Sequence, residues 1–182
     1  MKRLFYVMSP FIISLAAILL AIAMSPWFNL YNNALSDLGH AVKSTAAPVF
    51  NAGLVFGGLA AYTVALSSVN AKKVYRAIMA FASVALMLVG VFDEVYGGLH
   101  FTVSVLFFVG VLMFLLTYFA TERNENIALR ALSLAGLLVS IVLWYTHFAF
   151  RAPRGAAIPE LVSVFILMPF YYLVFYKRTT SS

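Results

Sequence analysis

The chain has 182 residues, of which 64% are hydrophobic and only 10% are charged. Soluble domains carry about 25% charged residues, so this composition excludes an ordinary soluble domain and predicts that lipid surrounds the chain. The net charge of +6 does not indicate a nucleic-acid partner, because the basic residues stand in ones and twos at the ends of apolar runs. The absence of cysteine excludes disulfides and thiolate metal sites.

Six apolar stretches are long enough to cross the hydrocarbon core, which takes about 20 helical residues. They are approximately 4–24, 46–68, 74–92, 99–121, 127–147 and 157–176. The first stretch resembles a signal peptide, but its length of about 20 residues favours a retained span. The sequence therefore predicts an all-α, polytopic membrane protein whose single transmembrane domain is a six-helix bundle.

Lys and Arg residues predict the orientation of this bundle, because they are retained on the inner side of the membrane. With the N-terminus inside, nine of the 12 lie in inner segments and three lie in outer segments. The outer three are Lys43, Arg151 and Arg154. This bias predicts a multi-pass protein of the cell membrane with both ends inside. We expect Arg151 and Arg154 to be structural polar residues that meet lipid headgroups.

The longest connection, residues 25–45, joins the first two predicted helices and is called the outer segment below. It is too polar to span the membrane, yet Trp27 and Tyr31 give it the aromatic character of an interface. We expect an ordered interfacial or re-entrant helix that covers the outer end of the bundle. Asn33 or Ser36 is the predicted N-cap of that helix.

Most ionisable residues fall on the predicted outer side, although none of them was used to set the orientation. All three histidines and four of the six acids lie there: His40, His100, His147, Asp37, Asp93, Glu94 and Glu160. The two inner acids, Glu122 and Glu125, are interpreted as solvated loop charges. The pattern predicts chemistry at the outer end of the bundle.

Polar residues within the spans support the same interpretation, because polar atoms avoid lipid and face the bundle interior. Ser104 follows His100 by one helical turn, and Ser140 lies on the same helical side as His147. Asn51, one turn into the second helix, must find a partner inside the protein. We expect it to bond either the backbone of residues 36–39 or the third helix. The predicted feature is a polar chamber beneath the outer segment.

Such a chamber is suited to zinc, since three histidines can bind the ion with water in the fourth position. His40, His100 and His147 are the candidate ligands. Asp93 is the candidate acid, with Glu94 in its place if the turn is rotated by one residue.

Ser36 and Asp37 are the remaining candidate catalytic residues, and we expect them to orient the metal-bound water. If the outer segment is helical, Ser36 and His40 could instead pair as a nucleophile and its base. The alternative is three unrelated interfacial histidines, because their spacing matches no ligand motif.

Two stretches of the chain resemble a known family. They are Asn33-Ala-Leu-Ser-Asp-Leu-Gly39 with Pro48-Val-Phe-Asn-Ala-Gly-Leu54, and Gly90-Val-Phe-Asp-Glu94 with His100 and Phe107-Phe108 downstream. This pattern resembles the small archaeal and bacterial membrane proteins catalogued as domain of unknown function 998. The resemblance implies a six-helix membrane protein with no established activity. The family pattern places a proline near Asp93, which this chain lacks.

A looser resemblance concerns mechanism. The spacing Ser36-x-x-x-His40 with a downstream aspartate is similar to the zinc-dependent membrane hydrolases that include alkaline ceramidases and adiponectin-receptor-like proteins. Those proteins have seven helices and a His-x-x-x-His pair on the last helix, whereas this chain has six apolar stretches and no such pair. The resemblance implies roles for Ser36, His40 and Asp93 only, with His100 and His147 replacing the missing pair.

Two functional hypotheses follow from these patterns. The first is an outward-facing, metal-dependent, lipid-modifying hydrolase that uses zinc. The second is a non-catalytic protein that binds membrane lipids or serves as an accessory subunit of a larger membrane complex. A transporter is disfavoured, because no charged residue lies near the middle of any predicted span.

Overall fold

A computed structural model describes residues 1–177 of the chain. Six helices in it are long and apolar enough to cross a membrane, so the predicted all-α membrane bundle is confirmed. The helices are α1 (Lys2–Ala23), α2 (Ala47–Ser67), α3 (Lys73–Val91), α4 (Gly98–Thr121), α5 (Ile127–Phe150) and α6 (Ala157–Tyr172). One π-helical turn, Leu173–Lys177, extends α6. No strand forms within residues 1–177.

The even number of spans places both ends of the described chain on the same side of the membrane. Which side that is remains a prediction from the Lys and Arg distribution, and one inner residue of that count, Arg178, lies outside the described residues. "Inner" and "outer" are used below in the predicted sense, with the N-terminus inside.

Close packing of α1 against α2 depends on small residues. Gly53 lies against Ala17, and Gly57 lies against Ser14 and the backbone of Pro10. A Cβ atom on Gly57 would stand 3.2 Å from the Pro10 carbonyl oxygen and would overlap the Ser14 side chain. Small side chains let two helix backbones approach each other in lipid, where the hydrophobic effect does not drive association.

Aromatic side chains fill the inner half of the bundle. The rings of Tyr75 and Phe114 have centroids 5.0 Å apart, and those of Tyr118 and Phe170 are 4.9 Å apart. All four side chains are fully or almost fully buried. The outer half has a smaller apolar cluster around Leu38 and Leu54. The two cavities described below reach the outer half, where the packing is less aromatic.

Helix α5 lies at the edge of the bundle. Only Ser133, Leu137 and Ser140 are buried on it, at the spacing of one narrow helical stripe. The remainder of α5 faces the surroundings or lines the gap to α4. This limited contact leaves a groove between α4 and α5, and the groove positions the candidate site.

Glu122 corrects one interpretation made from the sequence. It is not a solvated loop charge, because it is 4% exposed and accepts hydrogen bonds from Lys72, Tyr75 and Thr121. Tyr75 donates its hydroxyl to Glu122 Oε1 at 2.7 Å, and the Lys72 ammonium lies 3.1 Å from Oε2. Sequence position alone does not reveal this burial, since two of the partners come from the start of α3. The contact joins the inner ends of α3 and α4.

Replacing Glu122 by Ala should therefore destabilise the bundle. The change removes the carboxylate that accepts from the buried Tyr75 hydroxyl at 2.7 Å, while the contact of that hydroxyl with Thr121 Oγ1 at 3.1 Å remains. Loss of a hydrogen bond to a charged group costs about 1.5–3 kcal/mol. Thermal unfolding in detergent measures the effect, with Arg123→Ala as a control because Arg123 is exposed on the same connection. Equal unfolding temperatures for the two variants would show that the Glu122 contact contributes nothing.

An outward-facing cavity beneath the outer segment

The outer segment is ordered around a 3-10 turn, Leu35–Gly39. Leu35 and Leu38 are buried beneath it. The N-cap differs from the prediction, because Ala34 holds that position instead of Asn33 or Ser36. Asp37 reaches back instead, and its Oδ2 accepts from the Ala34 N–H at 3.1 Å and from Asn33 Nδ2 at 2.7 Å. Asp37 therefore stabilises the turn itself.

Three side-chain hydrogen bonds attach this turn to the bundle. Ser36 donates its hydroxyl to Glu94 Oε1 at 2.7 Å, and the Leu35 N–H donates to Glu160 Oε2 at 2.7 Å. Asn51 donates from Nδ2 to the Gly39 carbonyl at 2.9 Å, which is one of the two contacts that the sequence predicts for it. The three anchors come from α2, from the α3–α4 connection and from α6.

The α5–α6 connection packs against the outer segment through its backbone. The Gly155 N–H donates to the Tyr31 carbonyl at 2.9 Å, and the Ala157 N–H donates to the Asn33 carbonyl at 3.0 Å. A Cβ atom on Gly155 would overlap the Asn33 backbone, so only glycine fits this approach. Arg151 and Arg154 on the same connection are exposed, and they do not line the cavities described below. Their contact with lipid headgroups stays a prediction.

A cavity of about 580 Å³ opens beneath the outer segment, and it is called the outer cavity. Its polar lining residues are Ser36, His40, Lys43, Glu94, His100, Ser104, Trp144, His147 and Glu160. Its apolar lining includes Phe101, Val105, Phe108, Val109, Leu112, Ile141 and Phe148. Except for Ser104 and Trp144, the polar groups cluster at the outer ends of the helices, and the apolar side chains follow the groove between α4 and α5. The cavity is therefore amphipathic along its length.

All three predicted histidines line this cavity, but they are held by different partners. Nδ1 of His100 lies 2.7 Å from the Phe92 carbonyl and Nδ1 of His147 lies 3.0 Å from the Pro153 carbonyl. A carbonyl only accepts, so both Nδ1 atoms carry a proton. His40 is different, because its Nδ1 accepts from the Val42 N–H at 3.3 Å.

The histidines do not converge into a metal site. Among residues 1–177, no group of three or more His, Asp or Glu side chains is arranged to hold a metal ion. Each histidine comes from a different segment, and no carboxylate bridges them through a hydrogen bond. The donors of this conformation therefore do not fit zinc, and no reaction step through the metal is derived from it.

The candidate catalytic residues are also placed separately. Ser36 pairs with Glu94 and not with His40, so the nucleophile–base pair considered from the sequence is not formed. Asp93 is buried and caps the next 3-10 turn by accepting from the Val95 N–H at 2.8 Å. It does not line the outer cavity, whereas Glu94 does. Between the two acids weighed from the sequence, Glu94 is the one that faces the chamber.

Glu160, Ser104 and Trp144 line the outer cavity, although the sequence analysis gave none of them a catalytic or metal-binding role. Glu160 lies in the first turn of α6, where an acid is ordinary, so its position gave no distinctive signal. Ser104 lies 3.4 Å from Nε2 of His100, and its one-turn spacing from that histidine is visible in the sequence. Trp144 donates to Ser163 Oγ at 3.3 Å, and its ring lies tilted against that of Phe108 with centroids 4.7 Å apart.

Glu94 has the electrostatic environment of a partly desolvated acid. Burial raises the pKa of Glu94 above its ordinary value, and the nearby charge of Asp37 raises it further. The hydrogen bond from Ser36 and the proximity of His100 lower the pKa, but they do not cancel the effect of burial. Glu94 therefore keeps its proton to higher pH than a solvated glutamate.

The fold and the cavity define a six-helix membrane protein with an amphipathic pocket at one end of the bundle. The chain belongs to the family described as "Protein of unknown function (DUF998)", whose family model matches residues 10–176. No curated protein and no solved structure matched the chain. The looser resemblance to alkaline ceramidases and adiponectin-receptor-like proteins finds no support in these comparisons.

Replacing Asn51 by Leu should loosen the outer segment without unfolding the bundle, because it removes the bond to the Gly39 carbonyl. We expect faster amide hydrogen exchange in residues 34–44 and little change in the six helices. Thr63→Val on the same helix is the control, since the Thr63 hydroxyl bonds only its own helix. Equal exchange of residues 34–44 in the two variants would contradict this role of Asn51.

The pKa of Glu94 predicts a pH dependence of stability. A folded-state pKa above the unfolded value of about 4.5 contributes stability that is fully present below that value. This contribution is lost as the pH rises through the raised pKa. Wild type should therefore lose stability relative to Glu94→Gln between pH 4 and pH 8, measured by thermal unfolding in detergent. A relative gain by wild type over that range would refute the assigned direction.

Proposed function

We propose that this protein binds a single lipid from the outer leaflet, with the polar headgroup in the outer cavity and a hydrocarbon chain along the groove between α4 and α5. The observation that carries the proposal is the amphipathic lining of that one cavity. Ligand sites generally combine a mainly apolar wall with a few convergent polar groups, in volumes of about 300–1,000 Å³. The outer cavity falls within that range.

The polar end of the cavity suits a headgroup with both donors and acceptors. Glu94 and Glu160 supply carboxylate oxygens, and Lys43 supplies an ammonium group. His100 and His147 present Nε2 atoms that accept hydrogen bonds when the rings are neutral, because their Nδ1 atoms are protonated. A zwitterionic or hydroxyl-bearing headgroup would find partners of both kinds.

The apolar part of the cavity suits a chain. Its lining runs along α4 from Phe101 to Leu112, which corresponds to about 17 Å of helix. That distance exceeds half of a hydrocarbon core of about 30 Å. Val109 and Ile141 on its two walls are 39% and 45% exposed, so the groove is open sideways to the membrane. A lipid could enter from the bilayer without displacing the outer segment.

The hydrolase hypothesis has weaker support than binding. It requires zinc ligands that converge, and the three histidines, although they line one cavity, form no such group within the described residues. The accessory-subunit hypothesis is supported only by the exposed apolar face of α5. Membrane lipid would cover this face as well as a partner subunit would. Lipid binding needs no rearrangement of the cavity, and it is the function that we favour.

Trp144 provides a direct test, because it lines the outer cavity and is one of only two tryptophans in the chain. In a Trp27→Phe background, Trp144 fluorescence would be measured in phosphatidylcholine nanodiscs. Increasing fractions of chain-brominated phosphatidylethanolamine or phosphatidylglycerol would be added as quencher. We expect saturable quenching by at least one of the two lipids, at a several-fold lower fraction than quenching of Trp27 in a Trp144→Phe protein.

Two matched variants separate a bound lipid from bulk lipid. Val109→Phe narrows the groove and should abolish the saturable component. Leu116→Phe also introduces a phenylalanine on α4, but Leu116 is exposed to the membrane and does not line the cavity. It should leave the quenching curve unchanged. A non-saturable curve for wild type with both brominated lipids would refute lipid binding at this site.

A further inference from the structure

A second cavity of about 110 Å³ lies inside the bundle and is called the inner cavity. It adjoins the outer cavity, because Ser36, Ser104, Phe108 and Glu160 line both. Its other walls come from the outer segment and from α1, α2, α3, α4 and α6, and helix α5 contributes no lining residue within the described chain. The inner cavity is therefore surrounded by the bundle, whereas the outer cavity is open sideways to the membrane.

The walls of the inner cavity are mostly hydrocarbon, from side chains such as Leu54 and Leu167. Two serines that line it are already bonded within the protein: Ser83 donates to the Met79 carbonyl, and Ser14 donates to the Gly53 carbonyl at 3.4 Å. A water molecule needs 2–4 polar partners, and these walls offer few. Hydrocarbon is therefore a better occupant of this cavity than water.

The two cavities meet at a polar junction, which consists of the shared residues Ser36, Ser104 and Glu160. Phe108 lies one helical turn beyond Ser104 towards the inner end. Its ring contacts Phe107, which lines only the inner cavity, at a centroid distance of 4.9 Å, and Trp144, which lines only the outer cavity, at 4.7 Å. Two apolar spaces therefore begin at one polar junction and are separated by an aromatic side chain.

We propose that the bound lipid has two chains, that its branch point lies at the polar junction, and that its second chain enters the inner cavity. The proposal rests on the proposed lipid-binding function, which places the first chain of the same lipid in the groove between α4 and α5. A single-chain lipid would leave the inner cavity empty. The wall atoms of an empty cavity lack contact partners on one side, and a second chain would supply those contacts.

The volume of the inner cavity limits how much of the second chain it can hold. An engineered apolar cavity of about 150 Å³ accepts benzene, which has six carbon atoms. In proportion, the inner cavity of about 110 Å³ holds about four carbon atoms. The first few carbons of the second chain should therefore supply its contribution to binding. A longer chain would have to displace wall side chains such as Met79, so it should bind no more tightly.

The test is competition for the quenching of Trp144 in the Trp27→Phe protein in phosphatidylcholine nanodiscs. The quencher is the brominated phosphatidylethanolamine or phosphatidylglycerol, whichever quenches saturably. Unlabelled competitors carry the same headgroup and a first chain of sixteen carbons, with a second chain of zero, two, four or sixteen carbons. We expect the four-carbon competitor to relieve quenching at a several-fold lower fraction than the competitor without a second chain. The sixteen-carbon competitor should be no better than the four-carbon one.

Two matched variants make the test specific to the inner cavity. Ala61 is 4% exposed and lines that cavity, so Ala61→Leu fills part of its volume. The advantage of the four-carbon competitor over the competitor without a second chain should disappear in this variant. Ala52→Leu makes the same change on α2 at an exposed position that lines neither cavity, and it should keep the advantage. If Ala61→Leu does not fold, Val164→Met fills the same cavity from α6.

The outcomes separate this inference from the proposed function. Equal competition by the four-carbon lipid and the lipid without a second chain would overturn the inference. A gain that continues to sixteen carbons, or an advantage that survives filling of the inner cavity, would also overturn it, because the second chain would then lie elsewhere. In each case saturable quenching of Trp144 keeps lipid binding in the outer cavity, and only the place of the second chain fails. Non-saturable quenching with both brominated lipids would overturn both proposals.

Discussion

Polar groups that lie within a membrane protein must be satisfied by the protein itself, because the hydrocarbon core offers no partners. Backbone groups and a hydroxyl group of the outer segment lie against the bundle, where few side chains are placed to form hydrogen bonds with them. Glu94 accepts from Ser36, and Glu160 accepts from the Leu35 N–H. Asn51 donates to the Gly39 carbonyl from the opposite side. The outer end of the protein depends on these three contacts.

The same carboxylates line the outer cavity, so the attachment of the outer segment and the proposed recognition of a headgroup would use the same groups. Glu94 Oε1 is held by Ser36, and Glu160 Oε2 is held by the Leu35 N–H. A headgroup that donates hydrogen bonds to either carboxylate would compete with the outer segment or use the second oxygen of that carboxylate. Under the proposed lipid binding, occupancy of the cavity and the order of residues 34–44 would therefore be coupled by mass action.

The spans could be predicted from the sequence because a membrane helix needs only length and apolar composition, both of which are local properties. The contact of Asn51 could also be predicted, since a single side-chain amide within a span has few hydrogen-bond partners within reach. The pairing of Ser36 with Glu94 could not, because the two residues are 58 positions apart and their registers depend on how α3 ends. The burial of Glu122 escaped prediction for the same reason: Lys72 and Tyr75 belong to another helix.

The three histidines lie on the same predicted side of the membrane, but this shared placement does not mean that they bind one metal ion. Their common outer placement predicted one chamber, and all three do line the outer cavity. Sharing a chamber of about 580 Å³ is a much weaker condition than sharing an ion with nitrogen–metal distances of about 2.0–2.1 Å. Each ring is oriented by a neighbouring backbone group, Phe92 for His100 and Pro153 for His147, and those local bonds are not encoded in helical spacing.

The dense packing of the inner half of the bundle bears on whether the protein could be a transporter. Tyr75, Phe114, Tyr118 and Phe170 fill it with rings in mutual contact, and all are 2% exposed or less. The cavity near Tyr6 and Ser67 at the inner end shares no lining residue with the cavities at the outer end. A transporter would need a second arrangement in which this aromatic layer opens. Dense cores are costly to rearrange, so the packing of the inner half disfavours a transporter and agrees with the proposed binding of a lipid from the outer side.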